Sequence, residues 1–249
     1  MKRSKSNLDQ ELLELNRLLI SVAGDSKQNL DSALGARRYI NNANLINSIV
    51  PQGKILDWGC GLGHMTYLLK KRGLETVSYD VDQSGRDFLS RIGQTLILAT
   101  DPVKLPFADG TFDAVLSSGV LEHVLDSAAS LREVNRVLKK GGYFFIFRLP
   151  NKYSYIEFIS DCLGRGDHPV KYSLSEITKI LKRSGYEVIS NAYQGCLPYN
   201  MKGFPGPVRN LYHRLDRFWT CLDPILSSCP GLKRISTNLE LVARKWNPV

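Results

Sequence analysis

Residues 55–63 read Ile-Leu-Asp-Trp-Gly-Cys-Gly-Leu-Gly. The first four form the end of a short buried strand, and glycine at every second position from Gly59 forbids that strand to continue. From His64 the spacing of Met65, Leu68 and Leu69 gives a helix with one apolar face. Glycine allows φ > 0 and lets a ligand touch bare backbone, while the start of the helix offers unpaired N–H groups. Strand, glycine turn and helix together make a place for a nucleotide-like ligand.

The spacing narrows the ligand. A dinucleotide site shows G-x-G-x-x-G, whose last glycine lets the helix pack close to the strand beneath a pyrophosphate. Here the glycines are Gly59, Gly61 and Gly63, and His64 stands where the third should be, which argues against NAD or FAD. Downstream, a strand at 75–79 ends in Asp80, 17 residues beyond Gly63, where a carboxylate can accept hydrogen bonds from both hydroxyls of a ribose. Asp82 is read as the cap of a helix starting near Ser84.

With Asp57 before the glycines, the run D-x-G-x-G-x-G resembles the first motif of the class I S-adenosylmethionine-dependent methyltransferases. Residues 101–115 are similar to that family's D-x-x-x-L-P-F-x-D-x-x-F-D-x-V signature, and 136–146, R-V-L-K-K-G-G-Y-F-F-I, also resemble it, with Lys140 where the family usually has Pro. The resemblance spans roughly 54–149 and includes quinone-biosynthesis-type enzymes. It implies an α/β, Rossmann-like fold: a seven-stranded, mostly parallel sheet with helices on both faces and an antiparallel last strand. It also implies S-adenosylmethionine as cofactor, leaving S-adenosylhomocysteine. The cofactor-binding positions so implied are Asp57, Gly59, Cys60, Gly61, Gly63, Asp80, Val81, Asp101, Pro102 and Ser118, with Asp101 on the adenine amino group and Val103 and Leu105 near the ring.

The chain has 249 residues, 43% hydrophobic and 23% charged, ordinary for one large α/β domain with additions. No apolar run approaches the ~20 residues that span a bilayer, and 1–8 is too polar to begin a secretory signal, so a cytoplasmic location is expected. Cys60, Cys162, Cys196, Cys221 and Cys229 form no C-x-x-C pair and no zinc-ligand spacing, which fits a reduced compartment. The net charge of +9 is compatible with nucleic acid, an anionic membrane surface or an acidic substrate and does not choose among them.

Taken in order, 8–22 is an amphipathic helix and 32–49 a second, with Arg37, Arg38 and Tyr39 either closing over the ligand or, the favoured reading, solvated. Further strands are expected at 95–99, 112–117, 143–147, 186–192 and 239–243, and helices at 127–138, 153–163 and 173–183, the last opened by a Ser173/Glu176 capping box. Residues 148–151 are read as a loop leaving the fifth strand over the site. From Val208 to Ile225 apolar residues recur at helical spacing with Tyr212 and Trp219 beside them, and Pro224 is expected to end or kink this helix. Residues 203–207 make a stiff lead-in. Between Cys196 and Val249 the basic residues Lys202, Arg209, Arg214, Arg217, Lys233, Arg234, Arg244 and Lys245 outnumber Asp216, Asp223 and Glu240. The chain therefore divides into an N-terminal helical cap (1–50), a cofactor-binding core (51–195), a basic amphipathic insert or lid (196–236) and a last strand completing the sheet (237–249).

The reaction implied is in-line methyl transfer, in which much of the acceleration comes from alignment and exclusion of water. A small-molecule, lipid-linked or glycan-like acceptor is preferred over RNA or protein, with peripheral contact of 208–226 with a membrane surface. The competing reading is a non-catalytic binding protein on a nucleotide fold. His123, just past the fourth strand, is the first candidate for a general base, and His168 the second. The stretch V-L-E-H-V (120–124) resembles two subgroups, the polyprenyl-quinone O-methyltransferases and the small-RNA 2′-O-methyltransferases, where E-x-x-E-H supplies metal ligands. Here Gly119 replaces the first Glu, and Glu122, His123 and a distant His168 make an incomplete set, so no metal is expected.

Overall fold

The computed structural model describes residues 33–166, 168–198 and 206–246, without the side chains of Ala33, Arg209, His213, Asp216 and Arg217. The helix read at 8–22 and the lead-in at 203–205 lie outside the described residues.

The elements run α1 (Ala33–Ile49), β1 (Lys54–Trp58), α2 (His64–Lys71), β2 (Glu75–Asp80), α3 (Arg86–Arg91), β3 (Leu96–Leu98) and β4 (Phe112–Ser118). There follow α4 (Ser127–Val137), β5 (Leu138–Pro150), α5 (Tyr155–Cys162), α6 (Leu174–Arg183), β6 (Tyr186–Gln194), α7 (Gly206–Arg214), α8 (Asp216–Ser228) and, after a 3-10 turn, β7 (Asn238–Lys245). All seven strands form one sheet in the order β3-β2-β1-β4-β5-β7-β6. The pairings from β3 to β5 are parallel, and β7 runs antiparallel to both β5 and β6. Strand order reverses between β1 and β4, where open α/β sheets bind ligands beyond the carboxyl ends of the strands.

The sheet is covered on both faces, and β5 shows why. Its residues alternate, Phe144 and Ile146 packing with Leu131 and Val134 of α4 and Leu181 of α6. Phe145 and Phe147 pack on the other side with Ile40 and Ile46 of α1 and Leu68 of α2. Side chains two apart share a face, so each β5 neighbour serves the opposite core layer.

Four local expectations are corrected by the structure. Residues 148–151 are no loop: β5 continues to Pro150, because β7 pairs with it as far as Pro150↔Asn238. The Lys139–Gly142 stretch is the start of β5, with a register shift between Phe112 and Ala114 absorbing it. Asp82 does not cap α3; its carboxylate takes the N–H of Ser84, and Gly85 stands at the cap without a side-chain bond. The single helix read across 208–225 is two. The Tyr212 carbonyl accepts both the Leu215 N–H and the Trp219 indole N–H, closing α7 with a turn, while α8 runs through Pro224.

Arg38 is not solvated: it is buried against Asp223 of α8, 2.6 Å away, and the other oxygen of that carboxylate accepts the Leu197 N–H. The 196–236 segment is thereby tied to α1. A second tie is Asn151, fully buried, whose side-chain amide donates to the carbonyls of Arg234 and Ser236.

Candidate functional site

A cavity of about 1050 Å³ opens at the β1/β4 switch point. That exceeds the volume most small-molecule sites need, leaving room for a nucleotide-sized group and a second molecule. Its floor is the glycine turn. Gly59 and Cys60 donate to the Tyr79 carbonyl, which docks the turn on β2, and Gly59, Gly61 and Gly63 have φ of 73, 51 and 87°. Each glycine has its own reason. A Cβ on Gly59 would stand 2.3 Å from a Val120 methyl, and one on Gly63 2.6 Å from Leu89. A Cβ on Gly61 would meet nothing within 4 Å, because that residue borders the cavity. Gly63 does not line it and serves to seat α2 against α3.

Asp80 organises the turn. One carboxylate oxygen accepts the Gly61 N–H at 2.6 Å and the other the Asp82 N–H at 2.9 Å, so the strand end, the loop and the acid form one unit at the cavity wall. Val81 beside it is 79% exposed, an apolar face turned to the site instead of the core. On the facing wall Asp101 accepts the N–H groups of Val103 and Lys104, which hold its carboxyl below the usual range. Pro102, Val103 and Leu105 continue that wall.

Asp57 lies deeper. Burial pushes its carboxyl up to about 7, opposed by the hydrogen bond from the Thr66 hydroxyl at 2.7 Å. The Cys60 thiol is pushed up by burial and so is unreactive. His64, packed near the Tyr39 and Phe88 rings, is lowered to about 4 by burial and by Arg148, and is neutral.

The other end of the cavity is polar. Ser118 and Gly119 follow β4, and Glu122, His123 and His168 come together beyond them, each with a ligand atom within 4.8 Å of the others. His168 is therefore not distant from His123; their rings are 5.9 Å apart. The loop after α5 brings it there, and Glu157 of α5 holds its Nδ1 at 3.0 and 3.1 Å from the two carboxylate oxygens. That bond raises the His168 pKa, against burial. Glu122 is raised by burial. Arg148 closes the wall from the bulge in β5. At φ 56° it is the one non-glycine residue in the left-handed region among those described, and it donates to the Tyr39 hydroxyl at 2.5 Å.

Glu157 was not assigned to the site from the sequence; Tyr39 entered only through the less favoured reading of its helix, and Arg148 only as part of a loop over the site. Glu157 had a signal of the wrong kind: it sits three residues after the N-cap Ser154, where an acidic residue reads as a cap partner. In the structure it is the buried residue of α5, while Phe158 (69%), Ile159 and Leu163 are exposed.

The residues fit S-adenosylmethionine on the geometry. Space stands open over Gly61 where a side chain would intrude, a carboxylate ends β2, and an exposed aliphatic face waits at Val81.

Comparison with known proteins agrees. Residues 56–146 match a family described as a methyltransferase domain. A demethylmenaquinone methyltransferase of Corynebacterium kroppenstedtii is 40% identical over 92 residues, 37% of this chain and 40% of that protein. One of Mycolicibacterium paratuberculosis is 34% identical over 168 residues, covering 65% of this chain and 72% of the relative. Across the first of the curated relatives the match spans only 40% to 49% of their length. A crystal structure of an S-adenosylmethionine-dependent methyltransferase from Thermotoga maritima superposes with a TM-score of 0.63 over 94% of this chain and 100% of that one, at 14% identity.

Proposed function

The chain belongs to the class I S-adenosylmethionine-dependent methyltransferases, and from that premise we propose that it moves a methyl group to a small-molecule, lipid-linked or glycan-like acceptor. The observation that carries this reading is the continuity of one cavity from the glycine turn to the Glu122, His123 and His168 cluster. The first end accounts for the donor and the second for an acceptor.

The cofactor, when bound, supplies a sulfonium methyl with a good leaving group. Backbone at Gly59, Cys60 and Gly61 would hold it, with Asp80 on the ribose, Val81 against the purine, Asp101 and Pro102 at its edge, and Ser118 toward the methyl end. Asp57 and Gly63 act one step back, through Thr66 and through the seating of α2. At the acceptor end, His123 and His168 are the groups able to take a proton from a hydroxyl. Glu157 fixes the His168 ring and leaves Nε2 as its proton acceptor. Arg148, Tyr39 and α5 wall the reaction from water.

Two features support an apolar acceptor. Phe158 and Leu163 of the α5 region and Leu211, Phe218 and Ile225 of α7 and α8 are exposed, and two of the three acidic residues of the basic C-terminal part, Asp223 and Glu240, are buried. A lid at 196–236, with 208–226 resting on an anionic lipid surface, accounts for both. No helix among the described residues is long and apolar enough to cross a membrane, so contact would be peripheral.

The test is calorimetry with S-adenosylhomocysteine, followed by incubation with radiolabelled donor and a fractionated cell extract. Binding is expected, with label entering the lipid or small-molecule fraction. Absence of binding would sink the enzyme reading; label in RNA or protein alone would sink the acceptor class.

A further inference from the structure

The acceptor end of the cavity also contains a donor set. Glu122 and His123 follow β4 and His168 follows α5, yet their ligand atoms lie within 4.8 Å of one another. Glu122 is 1% exposed, and its Oε2 has no hydrogen-bond partner. A buried carboxylate oxygen without a donor is costly, and a cation would remove that cost. His168 is prepared in the way metal-bound imidazoles are: its Nδ1 is held by the buried Glu157, which leaves Nε2 to bind. Lys171, 3.5 Å from Glu157, steadies that carboxylate in turn.

We propose that Glu122, His123 and His168 bind one divalent first-row transition-metal ion, with open coordination positions facing the acceptor. Two imidazoles and one carboxylate suit zinc, iron, cobalt or manganese, whereas magnesium and calcium require an oxygen shell. Three protein ligands facing a cavity are the arrangement of catalytic, not structural, sites. Two ligands of one such ion stand at most about 4.2 Å apart, so the donors close by a fraction of an ångström. His123 is exposed, and His168 is half-buried with its Nδ1 on Glu157. Arg148 opposes a cation here, as does Lys171 through its pairing with Glu157, and the carboxylates Glu122 and Glu157 offset them. The sequence pointed to no metal because Gly119 stands where a first Glu would and His168 is far from His123 in the chain; the fold removes the distance and leaves three donors.

The inference rests on the reading of this end as the acceptor site, and it changes two imidazoles from proton acceptors to ligands. An acceptor oxygen bound to the ion would lose its proton at lower pH.

The test is equilibrium dialysis of the chelator-treated full chain against Co²⁺, with S-adenosylhomocysteine calorimetry on the same samples. One Co²⁺ per chain is expected, with affinity lowered at least about tenfold in Glu122→Gln, His123→Asn and His168→Asn, and about 10- to 100-fold in Glu157→Gln. His123 is exposed, so His123→Asn keeps the test valid if the buried Glu122→Gln fails to fold. Wild-type protein that binds S-adenosylhomocysteine but no stoichiometric Co²⁺ overturns the metal site alone. Folded variants that bind Co²⁺ as the wild type does also overturn it. Wild-type protein that binds neither overturns the cavity reading as well.

Discussion

Replacing Gly59 and Gly61 by alanine separates the scaffold from the site. Both residues have positive φ, 73° and 51°, so each alanine carries a left-handed backbone cost of about 1–2 kcal/mol. At Gly59 the new Cβ would also sit 2.3 Å from a Val120 methyl, an overpacking cost of about 1–3 kcal/mol more. At Gly61 it meets nothing. For a chain of this size each kcal/mol moves Tm by about 2–4 °C. Gly59→Ala should therefore melt roughly 4–20 °C below wild type, and Gly61→Ala roughly 2–8 °C below. The ligand response inverts the order of interest. S-adenosylhomocysteine at a hundred times its Kd stabilises wild type by about 2.7 kcal/mol, a rise of roughly 5–11 °C. Gly61→Ala should lose most of that rise, since its methyl enters the open space over the turn. A Gly61→Ala protein that is well folded and keeps the full ligand-induced rise would refute the claim that this space receives the cofactor.

Other expectations follow from the buried groups. Asp57 is raised to about 7 from an unfolded value of 3.8, so its contribution is fully present below about pH 4 and is lost as pH climbs through about 7, a total of roughly 4 kcal/mol. Urea melts of Asp57→Asn should show a flatter stability profile across that window than wild type; an identical slope would refute the assignment, with Glu240, also raised to about 7 by burial, contributing equally to both proteins. Asp223→Ala leaves the Arg38 guanidinium buried without its carboxylate and should cost about 3–5 kcal/mol in the same melts. Asp80→Asn weakens the charge-assisted bonds to Gly61 and Asp82, and calorimetry should register at least a roughly tenfold loss of S-adenosylhomocysteine affinity.

What the sequence discloses and what it conceals divide along the range of the forces involved. The short buried strand, the glycine turn after it and the Ser173/Glu176 capping box are decided by residues within a few positions of one another, and all three form as read. The course of 148–151 is decided by β7, which pairs with it from far along the chain, so local reading gave a loop. The break at Leu215 depends on where one indole N–H finds a carbonyl. Within the site, Asp80, Val81 and Ser118 stand at or next to strand ends and Asp101 three residues past β3, and all but Asp80 were named by the resemblance alone. Arg148 and Glu157 cannot be counted off from the turn: one reaches the cavity through a bulge, and the other because α5 turns its acid inward and its Phe158 outward. No periodicity in eight residues distinguishes that helix from its mirror arrangement.

β6 and β7 are adjacent and antiparallel, paired down to Gln194↔Asn238, and just beyond them the Gly195 carbonyl takes the Thr237 N–H. Topologically this is the stem of a hairpin, and 196–236 is what hangs from its open end. Descendants of such a chain can lengthen or shorten the pendant while every ladder in the sheet keeps its partner, provided Arg38 keeps a carboxylate to face. If 196–236 is the lid proposed above, change in what is methylated can thus outpace change in how the donor is gripped.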